Sequence, residues 1–535
     1  MTIVNVNVGL LGHVDSGKTS LAKALSSIKS TACFDKHPQS QERGITIDLG
    51  FSSFSLGLVE SFCEQGIEGD VQVTLVDCPG HASLIRKIIG GAQIIDFMLL
   101  VIDVNKGIQT QTAECLVIAE LLNKNLLIVL NKIDLLSDEK RVPMIEKVEK
   151  KIRSGLKGTR YHLAPMVAIS ANPKNADSPE GIVELIDALK KMITVPKREL
   201  EKPMVLAVDH CFSIKGKGTI LTGTVIQGRL SVNSTVEIPH LKISKKVKSI
   251  QMFKKDVPTA SAGDRVGVGV THFDSKLLET GVASEPGYFG MTYAVIVDVR
   301  KVMYFKFKIS SGSKYHISVG HDTVIGKVTL FKAIGNERLD EFSLDKHYEY
   351  VEELVSPAQD GDQLESTMAL LELEQEIPTV EGDLFIASKL DVDINKPCCR
   401  IAFHGHILKR TVDKNYADTF LPKLSIYKWK EKEGLIDRVV NNREIIVTSL
   451  FKKETQMHPF LNLRVRLTTG ENGVIKSTFG AGGKVKVELD TDLNEETKQR
   501  FTKKTRQNDS APKEIVKVQL KFKKYLYNSN KTVKQ

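Results

Sequence analysis

The sequence predicts a multidomain protein in which an α/β P-loop domain is followed by two antiparallel β-barrel domains and a basic, mainly β C-terminal domain. Three observations predict it. Residues 3 to about 195 alternate apolar strand-like runs with helically spaced segments, the pattern of a doubly wound sheet. A G-x-x-x-x-G-K-[ST] motif, Gly12 to Thr19, joins the first of those runs to the first helical segment. Beyond Pro196 the period changes to short alternating runs separated by turn residues.

IVNVNVGLL, VQVTLVD, DFMLLVID, LLIVL and PMVAIS read as strands and QTAECLVIAELLNK and PEGIVELIDALKKM as helices, so a first domain is expected over 1–198. MVLAVDHCF, GTILTGTVI, STVEIP, KKVKSIQMF and RVGVGV suit a small antiparallel barrel over 199–287. A second β-rich stretch, 288–416, is interrupted at about 333–367 and resumes as MALLELEQEI and CRIAFHGHIL. The interruption holds ten acidic and two basic residues with little periodicity, and reads as a surface insertion. A fourth domain, 417–535, contains the strand-like EIIVTSL, LNLRVRLTT, GKVKVELD and IVKVQLKF.

Composition narrows the class. At 535 residues, with 41% hydrophobic and 26% charged side chains, the chain is long enough for three or four cores and far from a disordered composition. No apolar run reaches the ~18 to 20 residues of a membrane span. The best, Ile94 to Val104, is broken by Asp96 and Asp103, so no membrane partner is expected. The N-terminal segment lacks the basic flank and cleavage site of a secretory signal, which predicts a cytoplasmic protein. Seven cysteines without a C-x-x-C pair argue against a disulfide framework and a zinc ribbon. Cys398 and Cys399, followed by His404 and His406, read as an alternating strand rather than a metal cluster. The net charge of +10 resolves into −2 over the first 420 residues and +12 over the last 115, which places any polyanion contact chiefly in the fourth domain.

In the phosphate loop, glycines let backbone N–H groups at Asp15, Ser16 and Gly17 curl around phosphate oxygens. Lys18 can reach the β and γ phosphates, Thr19 offers a hydroxyl to Mg²⁺, and the following helix N-terminus adds positive potential. Alone, the motif also fits a P-loop ATPase. Three further elements follow in order. In DCPGH, Asp77 ends a strand as a carboxylate able to hold Mg²⁺ through water, and Gly80 can donate its N–H to a γ-phosphate. In NKID, Asp134 can accept from the two N–H groups of guanine's Watson–Crick edge, Asn131 can contact the other edge, and Lys132 can lie along the ring. Ser170 and Ala171 end the PMVAIS strand, where backbone N–H groups could meet the guanine carbonyl. The four together select GTP over ATP. Thr46, in RGITID, is a switch candidate that could ligate Mg²⁺ only while a γ-phosphate is present.

GHVDSGKT, RGIT, DCPGH and NKID resemble the translational GTPases of the elongation factor Tu family. The resemblance extends through FSIKGKGTILTGTV, AGDRVGVGV and SVGHDTVIGKVTL to about residue 410. It implies a P-loop GTPase domain, GTP/GDP and Mg²⁺ as ligands, aminoacyl-tRNA as cargo and the ribosome as the site of release. It also implies that His81 orients the attacking water behind an apolar gate of Val14 and Ile45.

Two departures narrow the family. Where general factors usually read I-E-D-V and G-D-N, this chain has Val208-Asp209-His210-Cys211 and Gly263-Asp264-Arg265. These departures, with DCPGHASLIRKIIGGAQIIDF, VDHCFSIKGKGT and SLFKKET, resemble the eukaryotic-type selenocysteine-specific elongation factors, the SelB-like family. In that family the positions matching Asp209, His210 and Arg265 form the aminoacyl pocket. A selenol is largely ionised at neutral pH, whereas the serine hydroxyl is neutral. Arg265 and His210 could therefore pair with a selenolate and remain poorly compensated with serine. A barrel salt bridge between Asp209 and Arg265 is the plain alternative.

In the fourth domain, basic residues interleave with aromatics at Lys428, Trp429 and Lys430 and at Lys521, Lys523 and Lys524, with Lys452 and Lys453 in SLFKKET. Lysines can meet phosphates and rings can stack bases; a solvated basic face is the alternative. The resemblance implies a monomer that recognises selenocysteinyl-tRNA and acts with a SECIS-binding protein at the SECIS mRNA element. No bacterial winged-helix array follows, which argues against direct contact with that element. A factor for another aminoacyl- or initiator tRNA, and a non-translational regulatory GTPase, are the competing readings.

Overall fold

A seven-stranded sheet forms the first domain of the computed structural model, in the order Ile28–Lys29, Gly50–Ser55, Val71–Asp77, Val4–Leu11, Phe97–Asp103, Asn125–Asn131, Met166–Ala168. The structure describes residues 4–26, 28–29, 49–80, 85–173, 178–216, 218–253, 255–334, 342–354, 367–391, 399–480, 482–495, 497–498, 516–527 and 533–535.

From Val71–Asp77 to Met166–Ala168 all neighbours run parallel, while Gly50–Ser55 lies antiparallel to Val71–Asp77. Parallel strands are covered on both faces, which is why these runs are nearly unbroken Val, Leu and Ile. Leu21, Leu25, Leu185 and Leu189 of two helices pack against Val6, Val8, Val73 and Leu99 of the sheet. Leu10 stands beside Asp77, and Asp103 beside Asn131. The phosphate loop, Asp77 and Asn131 therefore open on one edge, at the carboxyl ends of the strands, where doubly wound sheets take their ligands.

Two elements were not prominent in the sequence. The Gly50–Ser55 strand is rich in serine, and the 18-residue Asp138–Gly155 helix buries only Val148 and Ile152. Charged side chains around so thin an apolar stripe hide its period.

Two closed six-stranded antiparallel barrels follow. The first closes where Thr235–Ile238 pairs with both Gly281–Ser284 and Ile243–Met252. The second closes where Lys314–Val319 pairs with both Asp322–Ala333 and Leu384–Ser388. CRIAFHGHIL contributes the Ile401–Thr411 strand, and no metal-binding cluster of His, Cys, Asp or Glu occurs among the described residues.

The buried asparagines of the first strand tie the first domain to the first barrel. Asn5 and Asn7 donate from their Nδ2 atoms to the Gly263 carbonyl at 2.6 and 3.0 Å. Arg198, on the connection, holds both oxygens of Asp96 at 2.6 Å. A buried pair, Glu114 and Arg400, joins the Thr110–Leu121 helix to the second barrel through Oε1 to Nε at 2.8 Å and Oε2 to Nη2 at 2.7 Å.

The chain divides into two compact units, and the second comprises Asp413–Gln535 with Thr329–Glu353 and Pro357–Ala369. Of the acidic interruption expected at about 333–367, residues 335–341 and 355–366 lie outside the described residues. His347–Val351 is a strand, not loop, and it pairs in parallel with the first residues of Ser425–Asn441. Tyr348 is fully buried within it. The alternation of Tyr348 and Tyr350 in HYEYV was a strand signal masked by the surrounding carboxylates. The core of this unit gathers Ile445, Val447, Val465, Ile475, Val487 and Leu520.

Candidate nucleotide and aminoacyl sites

The phosphate loop turns through Asp15 and Gly17, both at positive φ, before the Lys18–Leu25 helix begins. Gly17 is required twice over: its φ is 93°, and a Cβ there would lie 2.1 Å from Asn131 Nδ2. The Lys18 ammonium is buried and donates to the Gly12 and His13 carbonyls at 3.1 and 2.8 Å. Burial lowers its pKa, partly offset by Asp77, so the charged form gains from an anion in the loop. Ser16 Oγ is buried with no hydrogen-bond partner among the described residues. A Cβ at Gly80 would stand 2.9 Å from the Val14 backbone nitrogen as well as 2.3 Å from Lys18 Nζ, so glycine lets that backbone close on the loop. An unfilled hydroxyl, a buried ammonium and a glycine-walled cradle fit a nucleotide's phosphates.

Thr19 Oγ1 donates to Asp77 Oδ2 at 2.6 Å. The strand end and the helix start thus place two hard oxygen groups side by side, the donor chemistry that suits Mg²⁺. Thr46, Ile45 and His81 lie outside the described residues; Val14 is half-buried in the phosphate loop.

The residues expected at the base site converge. Asn131 is buried and both its amide atoms are engaged: Nδ2 donates to the Ser16 carbonyl at 2.9 Å, and Oδ1 accepts from Ala171 N–H at 3.0 Å. It braces the phosphate loop against the Ser170–Ala171 loop, and its second Nδ2 N–H is not used by either bond. Ser170 Oγ donates to Asp134 Oδ1 at 2.6 Å, orienting the carboxylate. Lys132, at φ 71°, carries its Nζ to Asp103 at 2.9 Å.

In the first barrel, Asp209 and Arg265 meet as a buried pair. Nη1 donates to Oδ2 at 2.5 Å and Nη2 to Oδ1 at 3.1 Å, each side chain being 7% exposed. Thr222 Oγ1 donates to Asp209 Oδ1 at 2.9 Å. The register explains the aim: Val208 faces Gly223 and His210 faces Thr222, so Asp209 is the extra residue of a β-bulge. His210 is half-buried beside it. One residue of this group was missed. Phe51, on the Gly50–Ser55 strand, lays its ring 3.2 Å from the Arg265 guanidinium carbon, a cation–π contact from the first domain. Its place five residues after Thr46 was the available signal, but nothing in the sequence joined it to Arg265.

In the second unit, the two basic–aromatic segments prove to be neighbours. Lys428 faces Lys524, Trp429 faces Lys523, and Glu431 faces Lys521 across antiparallel strands. Lys521 and Lys523 both stand 5.3 Å from the Trp429 ring centre, and the indole is 38% exposed. Lys430, Lys452 and Lys453 are exposed. Part of the basic charge is already matched, however. Lys428 pairs with Glu352 at 3.5 Å and lies 3.4 Å from the Tyr350 ring centre, and Lys521 pairs with Glu431 at 2.9 Å.

Comparison with known proteins places these features. Residues 4–195 match the elongation factor Tu GTP binding domain and 218–281 elongation factor Tu domain 2. Residues 296–405 match the third domain of eukaryotic selenocysteine-specific elongation factor and 422–531 the eEFSec C-terminal RIFT domain. The selenocysteine-specific elongation factor of Mus musculus is 44% identical over 99% of both chains. That of Methanocaldococcus jannaschii is 34% identical over 92% of this chain and 96% of its own. The solved structure of translation elongation factor SelB from Methanococcus maripaludis with the GTP analogue GppNHp has a TM-score of 0.68 at 26% identity, covering 98% of this chain and 100% of that one. With its P-loop GTPase domain, two barrels and basic C-terminal unit, the chain belongs to the selenocysteine-specific elongation factor family of translational GTPases.

Proposed function

We propose that this chain carries selenocysteinyl-tRNA in its GTP form to the ribosome at UGA codons and parts from it after ribosome-stimulated hydrolysis. The observation that carries the selectivity is the buried Asp209–Arg265 pair beside half-buried His210. Asp209 holds the guanidinium in a fixed plane, and a selenolate is an anion that can share or replace that partner. Serine offers no charge, so its entry gains nothing from the cation.

In the nucleotide site, Lys18, Ser16 and the loop N–H groups bind phosphates, and Gly80 closes over the γ-phosphate. Thr19, Asp77 and Thr46 would hold Mg²⁺, which supplies charge neutralisation between phosphate oxygens. Asp134, aligned by Ser170, reads guanine's Watson–Crick edge, Lys132 lies along the ring, backbone N–H groups of the Ser170–Ala171 loop meet the guanine carbonyl, and Asn131 contacts the base's other edge while keeping the two loops in register. His81 orients water behind Val14 and Ile45. The exposed Trp429 and its flanking lysines offer stacking and phosphate contacts to tRNA, with a SECIS-binding protein and its mRNA element as indirect partners. The chain acts as a cytoplasmic monomer; no helix of the described residues is long and apolar enough to cross a membrane.

The test is GTP-dependent protection of the ester bond in selenocysteinyl- and seryl-tRNA of one tRNA species. Selenocysteine should be protected at least about tenfold longer. Equal protection overturns the selectivity.

A further inference from the structure

Two asparagines interrupt the apolar strand that opens the first domain. Asn5 and Asn7 lie two residues apart on Val4–Leu11, so both side chains leave the same face, and both are buried. The strand has parallel neighbours on either side, Val71–Asp77 and Phe97–Asp103, a setting that is ordinarily apolar. A buried amide there is costly unless its polar atoms are used.

These amides converge on one atom. Asn5 and Asn7 both donate to the Gly263 carbonyl, Asn5 gives its other N–H to Asn7 Oδ1 at 3.3 Å, and Thr74 Oγ1 donates to Asn5 Oδ1 at 2.8 Å. The backbone is held as well: Asn7 N–H donates to Asp96 Oδ2 at 2.9 Å, and Arg198, paired with Asp96, donates to the Asn5 carbonyl at 3.1 Å. None of these bonds reaches a residue assigned to the nucleotide site.

Gly263 stands two residues before Arg265. Its N–H and the Asp264 carbonyl are satisfied inside the barrel, by the Val225 carbonyl and N–H at 2.8 and 2.9 Å. The Gly263 carbonyl is not: among the described residues both of its donors come from the first domain. Arg265 then opens the Arg265–Val270 strand and lays its guanidinium on Phe51, again from the first domain. The turn at its root and the ring at its head are thus both set from outside the barrel.

We propose, resting on the selectivity for selenocysteine put forward above, that Asn5 and Asn7 are positioning residues for cargo selection. By holding the Gly263 carbonyl they fix the turn that aims Arg265, so the cation offered to a selenolate is placed by the first domain as well as by Asp209. A displaced guanidinium forfeits charge-assisted contact with an anion and little with a neutral hydroxyl, so the loss falls on one cargo.

The test is GTP-dependent protection of the ester bond in selenocysteinyl- and seryl-tRNA by full-length Asn7→Leu and by Asn5→Leu, Asn7→Leu, near-isosteric changes that remove one and both donors. Asn7→Leu should lower the selenocysteine-to-serine protection ratio about three- to fivefold, and the double variant should bring it close to one. Seryl-tRNA protection and GDP affinity should stay within about twofold of wild type. Asn7→Leu leaves Asn5 on the carbonyl and serves alone where the double variant does not fold. On the Asp209→Leu, Arg265→Met background, Asn7→Leu should change the protection of neither cargo, because it acts through Arg265. Three results overturn the proposal: an unchanged ratio in Asn7→Leu; an equal loss for both cargoes, the mark of domains merely coming apart; or a further loss on the Asp209→Leu, Arg265→Met background. Equal protection of both cargoes by the wild-type protein overturns the selectivity itself and this inference with it, a failure recognised without any variant.

Discussion

The Asp209–Arg265 pair can be taken apart from either side. Arg265→Met keeps an unbranched apolar stem and removes the cation. Asp209, 7% exposed, is then left with the Thr222 hydroxyl at 2.9 Å as its remaining side-chain partner shown here. A charge stranded in a site this dry costs about 3 to 5 kcal/mol of stability. Asp209→Leu strands the guanidinium instead. The Phe51 ring at 3.2 Å offsets about 2 kcal/mol of that cost, so a loss of about 1 to 3 kcal/mol is expected. The double variant removes both charges and leaves apolar side chains in their place, which is close to neutral, within about 1 kcal/mol. The two single losses should therefore fail to add, and the double variant should be the most stable of the three. Urea unfolding of the full-length protein, followed by circular dichroism at constant salt, measures the cycle. A double variant as unstable as the sum of the singles would show that the two side chains act independently. The same variants divide stability from selectivity: the double variant should fold yet protect seryl- and selenocysteinyl-tRNA alike.

Asn131→Ala removes two hydrogen bonds and orphans the buried Ser16 carbonyl and Ala171 N–H, so GTP and GDP affinities should both fall roughly 10- to 100-fold in a fluorescent-nucleotide titration. An unchanged affinity would dismiss the brace. Asp134→Asn should abolish the preference for guanosine over xanthosine nucleotides; a retained preference refutes the base contact. His81→Ala should leave GTP binding near normal and slow ribosome-stimulated hydrolysis by roughly 10² to 10⁴, and unaltered hydrolysis removes His81 from the mechanism. Burial, with Arg300 adding to it, lowers the His404 pKa from 6.5 to about 4. The unfolded chain takes up that proton first, so the stability His404 confers is present above about pH 6.5 and is lost as pH falls toward 4. About 2 kcal/mol should be gone by pH 5. His404→Phe should flatten this acid limb in urea midpoints measured at about pH 7.5 and pH 5.

Much of the fold and of the nucleotide site was legible because each signal there is local. The phosphate loop is eight consecutive residues whose glycines are dictated by backbone geometry, and Asp77 and Asn131 sit at strand ends because an apolar run simply stops there. What escaped has a common cause. The Asp138–Gly155 helix and the His347–Val351 strand carry their periodicity under a cover of charge. The two basic–aromatic segments of the C-terminal unit are some ninety residues apart in sequence and become a single surface only through the register of Trp429 against Lys523.

The sequence alone carried the domain order, the guanine-nucleotide signature and the displacement of positive charge toward the C-terminus, and it supplied Asp209, His210 and Arg265 as the residues proposed for the aminoacyl pocket. The tertiary structure decided which of their groups are already satisfied. Asn131 is a brace because its amide joins the Ser16 carbonyl to the Ala171 N–H. Arg265 is a buried, oriented cation because a bulge turns Asp209 toward it and Phe51 of another domain covers it. Residue type and spacing specify what a side chain can do. Desolvation and partner geometry, which depend on chain segments far apart in sequence, decide which of those capacities remain open.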